Sequence, residues 1–211
     1  GTKELKKIRD DYWSTLFGFA YTIPVSGLSE DAAGDLVKIP AEGQLIYQAG
    51  AVDEIVRLSG NQPFLIQTLC SRIFSGAVET GNPSVGKSQV ANAAERMGKD
   101  NEHFRNLFSR EINSDLQRII FVMIVKNFER DGTRFNRGGI EQELYNQNVP
   151  YLEEEIDDEI DHLISLELVK NHDTDRSDSS GFEPLVPFFG IWINQNVDYE
   201  QLIQTIRDQV I

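Results

Sequence analysis

Apolar residues recur along this chain at steps of three and four far more often than at a step of two, which predicts a mainly helical protein. From Thr2 to Ala20 the positions Leu5, Ile8, Tyr12, Leu16 and Phe19 trace one helix face behind a Thr2 N-cap. Tyr21–Val25 is short and β-rich. Ser29 then caps a helix that runs through Leu36 until Pro40 stops it. A loop with Gly43 leads into a helix over Ala49–Leu58. Gly60-Asn61-Gln62 reads as a turn whose first two residues tolerate positive φ, and Pro63 as the first position of the next helix. That helix is expected to reach about Ser75, burying Phe64, Leu65, Leu69, Ile73 and Phe74, with Cys70 as a small buried hydrophobe. After a Gly/Pro/Ser loop, Lys87–Met97 forms a further helix closed by Gly98.

Asp100-Asn101 punctuates the chain and starts a helix to Ile112. Ser114 caps a strongly apolar helix that ends at Gly132. Ile119–Val125 alone could be a buried strand, but Phe128 continues the stripe from Phe121 and Ile124 at steps of seven and four, which favours a central core helix. Thr133–Phe135 is a short extended piece and Gly139–Tyr145 a short helix. Tyr151–Leu166 carries Leu152, Ile156, Ile160, Leu163 and Ile164 on one face. Leu168–Lys170 reads as a strand, 173–180 as a polar loop, Phe182–Val186 as the partner strand, and Pro187 permits a helix through Ile193. Helix, short strand, helix, helix, hairpin is the order of a winged helix. The fold class expected is therefore mainly α: a helical bundle over 29–98 followed by a winged-helix (α+β) domain over 99–211.

Charge narrows the partners. The 211 residues carry 20 Lys+Arg against 34 Asp+Glu, a formal net charge of −14, so the surface as a whole repels phosphate backbones and anionic lipid. The longest apolar run, Ile119–Val125, is far short of the roughly 20 residues that cross a bilayer, so no membrane span is expected. A single Cys70 cannot form an internal disulfide, and Gly1-Thr2-Lys3-Glu4 lacks the apolar stretch of a signal peptide, which makes a reducing cytoplasm the default.

Three motifs invite chemistry. Gly81-Asn82-Pro83-Ser84-Val85-Gly86-Lys87-Ser88 matches G-x-x-x-x-G-K-[ST], the phosphate loop of small GTPases, in which backbone amides and Lys cradle phosphates and Ser binds Mg²⁺. That chemistry needs a buried strand running into Gly81, and Ser75–Thr80 does not read as one, so the competing reading is a polar inter-helix loop. The run Glu153–Asp161 holds seven carboxylates in nine positions on the helix that would read DNA in a winged helix. It has no Lys, Arg, Asn or Gln to meet phosphates and bases, so it opposes nucleic acid and suits a solvated face or a docking surface for protein. Asp173, Asp175 and Ser177 mimic the first ligands of a Ca²⁺ loop, yet Asp178 replaces the required Gly and Pro184 the bidentate Glu. His103, His162 and His172 lie far apart and show no zinc spacing. No metal and no catalytic residue is assigned.

At Ile55-Val56-Arg57-Leu58-Ser59-Gly60-Asn61-Gln62-Pro63-Phe64-Leu65-Ile66-Gln67-Thr68-Leu69-Cys70 the chain resembles the lid of STAND-type nucleotide switches in the AAA+ ATPase superfamily. Asn61 stands where a small Gly is often found in that family, and Asn also tolerates the left-handed turn. The exit from the family's ATPase core resembles Gly1–Phe17 with Leu28 and Leu36–Pro40, and the end of its winged helix resembles Phe182–Val186 with Trp192-Ile193. The resemblance implies that Pro63 lies against the adenine of a bound ATP, with Gly60 and Phe64 nearby. It implies a nucleotide-binding core, holding ATP and Mg²⁺, upstream of Gly1, with residues 1–28 as its tail, 29–98 as the lid and 99–211 as the winged helix. The expected function is the regulatory half of an ATP-dependent switch, not catalytic alone, whose partners are its own ATPase core and other protein domains. The rival expectations are a self-contained P-loop GTPase or ATPase using Gly81–Ser88, and a winged-helix DNA-binding regulator.

Overall fold

A computed structural model describes residues 27–99, 101–172 and 180–209. The helix expected over Thr2–Ala20, the β-rich stretch Tyr21–Val25 and nearly all of the polar loop 173–180 lie outside the described residues. Within them, ten α-helices and two two-stranded sheets make a mainly helical protein.

The first helices follow from their caps. Ser29 Oγ accepts from the amide of Ala32 and opens α1 (Glu30–Lys38), which passes into a 3-10 turn over Ile39–Ala41 containing Pro40. Gly50, at φ 76°, precedes α2 (Ala51–Ser59), and Gly60, at φ 56°, closes it. Pro63 then begins α3 (Pro63–Thr80), where its missing N–H costs nothing. Helix α4 (Lys87–Lys99) folds back over α3 and α2. Ala33, Val37, Ile55, Leu65, Ile66, Leu69, Ile73, Val90 and Ala94 fill the space between these four helices.

Several expectations need correction here. Helix α3 runs five residues past Ser75, because Gly76 leaves its backbone helical and the left-handed stop is Gly81 at φ 68°. Phe64 and Phe74 are 54% and 39% exposed, whereas Ile66 is buried: the neighbours of α3 lie on the Leu65–Ile66–Leu69–Ile73 side. Helix α2 starts at Ala51, not Ala49. Two segments expected to be loop form a short parallel pair, β1 (Ile46–Tyr47) with β2 (Ser84–Val85). Ile46 donates to the Pro83 carbonyl at 2.9 Å and Gln48 to that of Val85 at 2.8 Å.

Asn101 caps α5 (Glu102–Asn106), accepting from the amide of Phe104, and the helix loosens into a π turn over Leu107–Glu111 instead of continuing regularly to Ile112. The carbonyls released there are collected by one guanidinium: Arg118 donates to Phe108, Ser109 and Ile112 at 3.0, 3.2 and 2.8 Å, and to Asp115 at 2.5 Å. Ser114 caps α6 (Asp115–Asp131), which ends at Gly132 with φ 73°. Every residue from Ile119 to Val125 is buried, as in a helix surrounded on all sides. Its neighbours are α7 (Arg137–Asn146), α8 (Glu153–Ser165), α9 (Phe188–Asn196) and a final helix α10 (Tyr199–Gln209) that the sequence pattern did not predict. Leu152, expected on the buried face of α8, is 58% exposed because it precedes the helix as its N-cap.

Strands β3 (Val169–Asn171) and β4 (Phe182–Pro184) pair antiparallel in the register Val169–Pro184, Lys170–Glu183, Asn171–Phe182. Phe135 pairs with Phe182 on the other edge of β4, each amide donating to the other's carbonyl at 3.0 Å. Glu183 fastens this hairpin, accepting from Arg134 Nε at 3.1 Å and lying 2.7 Å from His172 Nε2. Burial works to raise its pKa, but the hydrogen bonds and charges of His172 and Arg134 outweigh burial and hold it below the usual carboxylate range.

Helix α9 lies against α4 so closely that a Cβ on Gly98 would come within 2.5 Å of Gln195 Oε1, and Asn196 Nδ2 donates to the Gly98 carbonyl at 3.0 Å. Phe104 stacks on Phe188 (5.0 Å between centroids) and meets the edge of Phe189 (4.3 Å), which in turn meets Phe121 at 5.1 Å. One continuous apolar core thus includes residues from every helix from α1 to α10 except α5's neighbouring π turn, whose side chains pack only at its margin.

Candidate functional site

The turn from Gly60 to Phe64 joins α2 to α3 with two successive left-handed residues, Gly60 (φ 56°) and Asn61 (φ 60°). Two features hold it. The amide of Leu28 donates to the Asn61 carbonyl at 2.9 Å, so the described chain enters the fold against this turn. On the other side Gly60 is pressed onto the backbone of Leu185, between β4 and α9, with Val186 Cγ2 3.1 Å from the position a Cβ would take. The three residues singled out from the sequence are therefore together, but they differ in surroundings. Gly60 is half-buried, whereas Pro63 and Phe64 are exposed at the first turn of α3. The Phe64 ring touches only the rim of the aromatic cluster, tilted against His103 with centroids 5.2 Å apart. No residue from Gly60 to Phe64 is ionisable, so the turn offers an apolar ring and a helix N-terminus but no phosphate-holding side chain.

The loop Gly81–Ser88 lacks the geometry its letters suggest. A helix, not a strand, runs into Gly81, and four amides of the loop already have partners within the protein. Gly81 donates to Val78 and Asn82 to Ala77, Ser84 donates to its neighbour Asn82 Oδ1, and Gly86 to Gln89 Oε1. Ser84–Val85 is taken by the pairing with β1. The Lys87 chain lies over Gly50, 2.5 Å from where a Cβ would sit, and Ser88 donates to Gln89. The one element shared with a phosphate loop is the helix that begins at Lys87.

The acidic helix α8 divides its charges. Glu155 accepts from the Leu152 amide at 2.9 Å, Asp157 pairs with Arg137 Nε at 2.5 Å, and Glu159 accepts from Ser114 at 2.5 Å. Glu153, Glu154, Asp158 and Asp161 are exposed. Three of the seven carboxylates are thus structural and four form a solvated face. The Ca²⁺-loop look-alike Asp173, Asp175 and Ser177 falls outside the described residues, among which no group of three or more His, Cys, Asp or Glu side chains is arranged to hold a metal. No helix of the described residues is long and apolar enough to cross a membrane.

Cys70, expected to be fully buried, is half-buried, and its pairing with the half-buried Tyr47 was not read from the sequence. The hydroxyl of Tyr47 on β1 faces Cys70 on α3, and among the described residues no hydrogen-bond partner of ordinary geometry satisfies it. Burial pushes the Cys70 thiol up to about 11 and raises Tyr47 well above the ordinary phenol, so both are neutral near pH 7. Comparison with known protein families, curated proteins and solved structures returns no match to this chain.

Proposed function

We propose that this chain is the lid and winged-helix half of a STAND-type, AAA+-related nucleotide switch, with Pro63, Gly60 and Phe64 as its contribution to the ATP site. The observation that carries this reading is the turn itself. It presents an exposed proline ring at a helix N-terminus, and the chain arriving at Gly27-Leu28 is hydrogen-bonded to the same turn. These residues fit the base end of a nucleotide. The groups that would hold its phosphates and Mg²⁺ are assigned to an ATPase core outside this chain.

The winged-helix part of the reading rests on element order. Helix α6, the bridging residue Phe135, helices α7 and α8, and the hairpin β3–β4 follow the helix–strand–helix–helix–hairpin sequence, with Phe135 as the third strand position beside β4. The exposed carboxylates of α8 oppose a nucleic-acid role for its reading helix and favour a protein surface. In this reading the nucleotide state of the core is transmitted through the Gly60–Leu185 contact, which ties the lid turn to the hairpin and α9. A nucleotide shifts such a lever only if it contacts Pro63 differently in the two arrangements.

The test is Mg²⁺-ATP affinity in the longer chain that carries the core. Pro63→Ala is expected to weaken it while leaving the fold intact, and unchanged affinity overturns the assignment. This chain alone is expected to show no ATP turnover. A salt-dependent DNA titration with tight, sequence-selective binding would favour the transcription-regulator reading instead.

A further inference from the structure

Between α3 and α4 lies a cleft of about 300 Å³, bordered at one end by the Gly81–Ser88 loop. Its walls come from two helices at helical spacing: Arg72, Gly76 and Glu79 on α3 face Gln89, Asn92 and Arg96 on α4, while Asn82 and Ser84 close the end. Small residues make the space. Ala93 forms part of the floor, and a Cβ added to Gly76 would meet no atom within 4 Å.

What lines this space is a set of donors. Arg72 makes no hydrogen bond or ion pair to another described residue. Arg96 approaches Glu79 only at 3.8 Å, with both side chains 70% exposed, a pair that stabilises little and exchanges readily. Asn82 Oδ1 accepts from the Ser84 amide, and Gln89 Oε1 accepts from the Gly86 amide and Ser88. Those bonds fix which end of each amide is oxygen, and they leave the two NH₂ groups as the ends without a partner among the described residues. The Ser84 hydroxyl accepts from Gln48, so its own proton is also available. Asn92 adds a whole side-chain amide. Against two guanidiniums and these donors stands one carboxylate, Glu79, in a chain whose net charge is −14.

We infer that this cleft binds a small phosphate-bearing molecule, held by Arg72 and Arg96 from opposite helices and by the amide groups of Asn82, Gln89 and Asn92. Guanidiniums recognise phosphate oxygens with paired N–H donors, and Arg72 has no ion pair to a described residue to break before it does so. Glu79 then yields Arg96 to the ligand. The site is not the phosphate loop its neighbouring letters spell: Lys87 lies over Gly50, on the β1 side, and takes no part. Nor does it depend on the lid reading, since none of its residues belongs to the Gly60–Phe64 turn.

Pyrophosphate, inorganic phosphate and citrate, titrated calorimetrically into the purified 211-residue chain at low ionic strength and against sodium chloride of matched ionic strength, test the inference. Saturable one-site binding of pyrophosphate is expected. It should weaken roughly ten-fold or more in the double variant Arg72→Ala, Arg96→Ala, as loss of hydrogen bonds to a charged group implies. Gly76→Leu, which grows into open space from a helix interior, should block the site with the helical circular dichroism unchanged, and so serves even if the arginine variant folds poorly. Lys87→Ala should bind as the parent does. Absence of saturable pyrophosphate binding, binding unaltered in both cleft variants, or binding abolished by Lys87→Ala each overturns the inference. Citrate binding as tightly as pyrophosphate overturns the assignment to phosphate.

Discussion

Gly60 rests directly on the carbonyl of Leu185, so that a Cβ at this position would overlap that oxygen. The α2–α3 turn and the chain entering α9 are thereby locked at a single backbone contact. Gly60→Ala should lose on two counts, left-handed φ and collision, and cost more than about 2 kcal/mol. Gly81→Ala has the same left-handed strain but no atom within 4 Å of the new Cβ, and should cost about 1 kcal/mol. Guanidinium unfolding midpoints of the two variants measure the difference, and equal costs would mean the contact yields easily.

Ser114 does two things at once. Its hydroxyl oxygen accepts from the Gln117 amide at 2.9 Å as the cap of α6, and its proton goes to Glu159 of α8 at 2.5 Å. Ser114→Ala should therefore cost about 1–2 kcal/mol, near the upper end for a lost cap. Ser29→Ala, which loses one exposed 3.3 Å bond at α1, should cost about 0.5 kcal/mol, near the lower end. Thermal midpoints of both variants at pH 7 test the ordering.

Phe104 is where the short α5 is anchored, between Phe188 and Phe189 at 1% exposure. Phe104→Ala leaves a cavity beneath a helix of five residues in which Phe104 is the one buried side chain. A cost of about 3–5 kcal/mol is expected by denaturant unfolding, with Phe64→Ala, at an exposed position, within about 1 kcal/mol of the parent.

Cys70 should be slow to ionise. Its folded pKa of about 11 lies above the ordinary 9.0 because burial disfavours the thiolate. A raised value means that the fold favours the protonated thiol. The contribution is complete below pH 9 and is lost as pH rises from there through 11, the range in which the unfolded chain has released a proton the folded chain still holds. Alkylation rates followed against pH should show a midpoint near 11 in the native protein and near 9 in urea. A native midpoint near 9 would mean the thiol reaches water freely.

Much of this architecture was legible without coordinates, and the legible parts share a cause. Caps and stops act over three or four residues: Ser29, Ser114 and Asn101 accept from the amides three positions on, and Gly60 and Gly132 adopt the left-handed conformation that ends a helix. The all-apolar stretch Ile119–Val125 identified the central helix because no such stretch could stay in water. The turn at Gly60–Pro63 was equally readable, since its conformation is set by the residues it contains.

What escaped the sequence depends on who a residue's neighbours are. Phe64 and Phe74 have the same chemistry as Phe104, yet nothing covers them as fully, and periodicity cannot say which side of α3 its neighbours occupy. The pairing of Ile46-Tyr47 with Ser84-Val85 joins segments almost forty residues apart, each too short to announce a strand. Among its described side chains the amphipathic α10 buries Ile203 and Ile206, a pattern too sparse to stand out until α6 is there to receive it. The phosphate-loop letters show the same dependence: the sequence supplies the glycines and Lys87, but the folded chain gives the Gly81 and Asn82 amides to the end of α3 and those of Ser84 and Gly86 to neighbouring side chains, while Arg72 and Asn92 line a different cleft. Local residues decided where helices start and stop. Only packing decided which of their faces, charges and amides were left free, because burial and hydrogen bonding are properties of pairs.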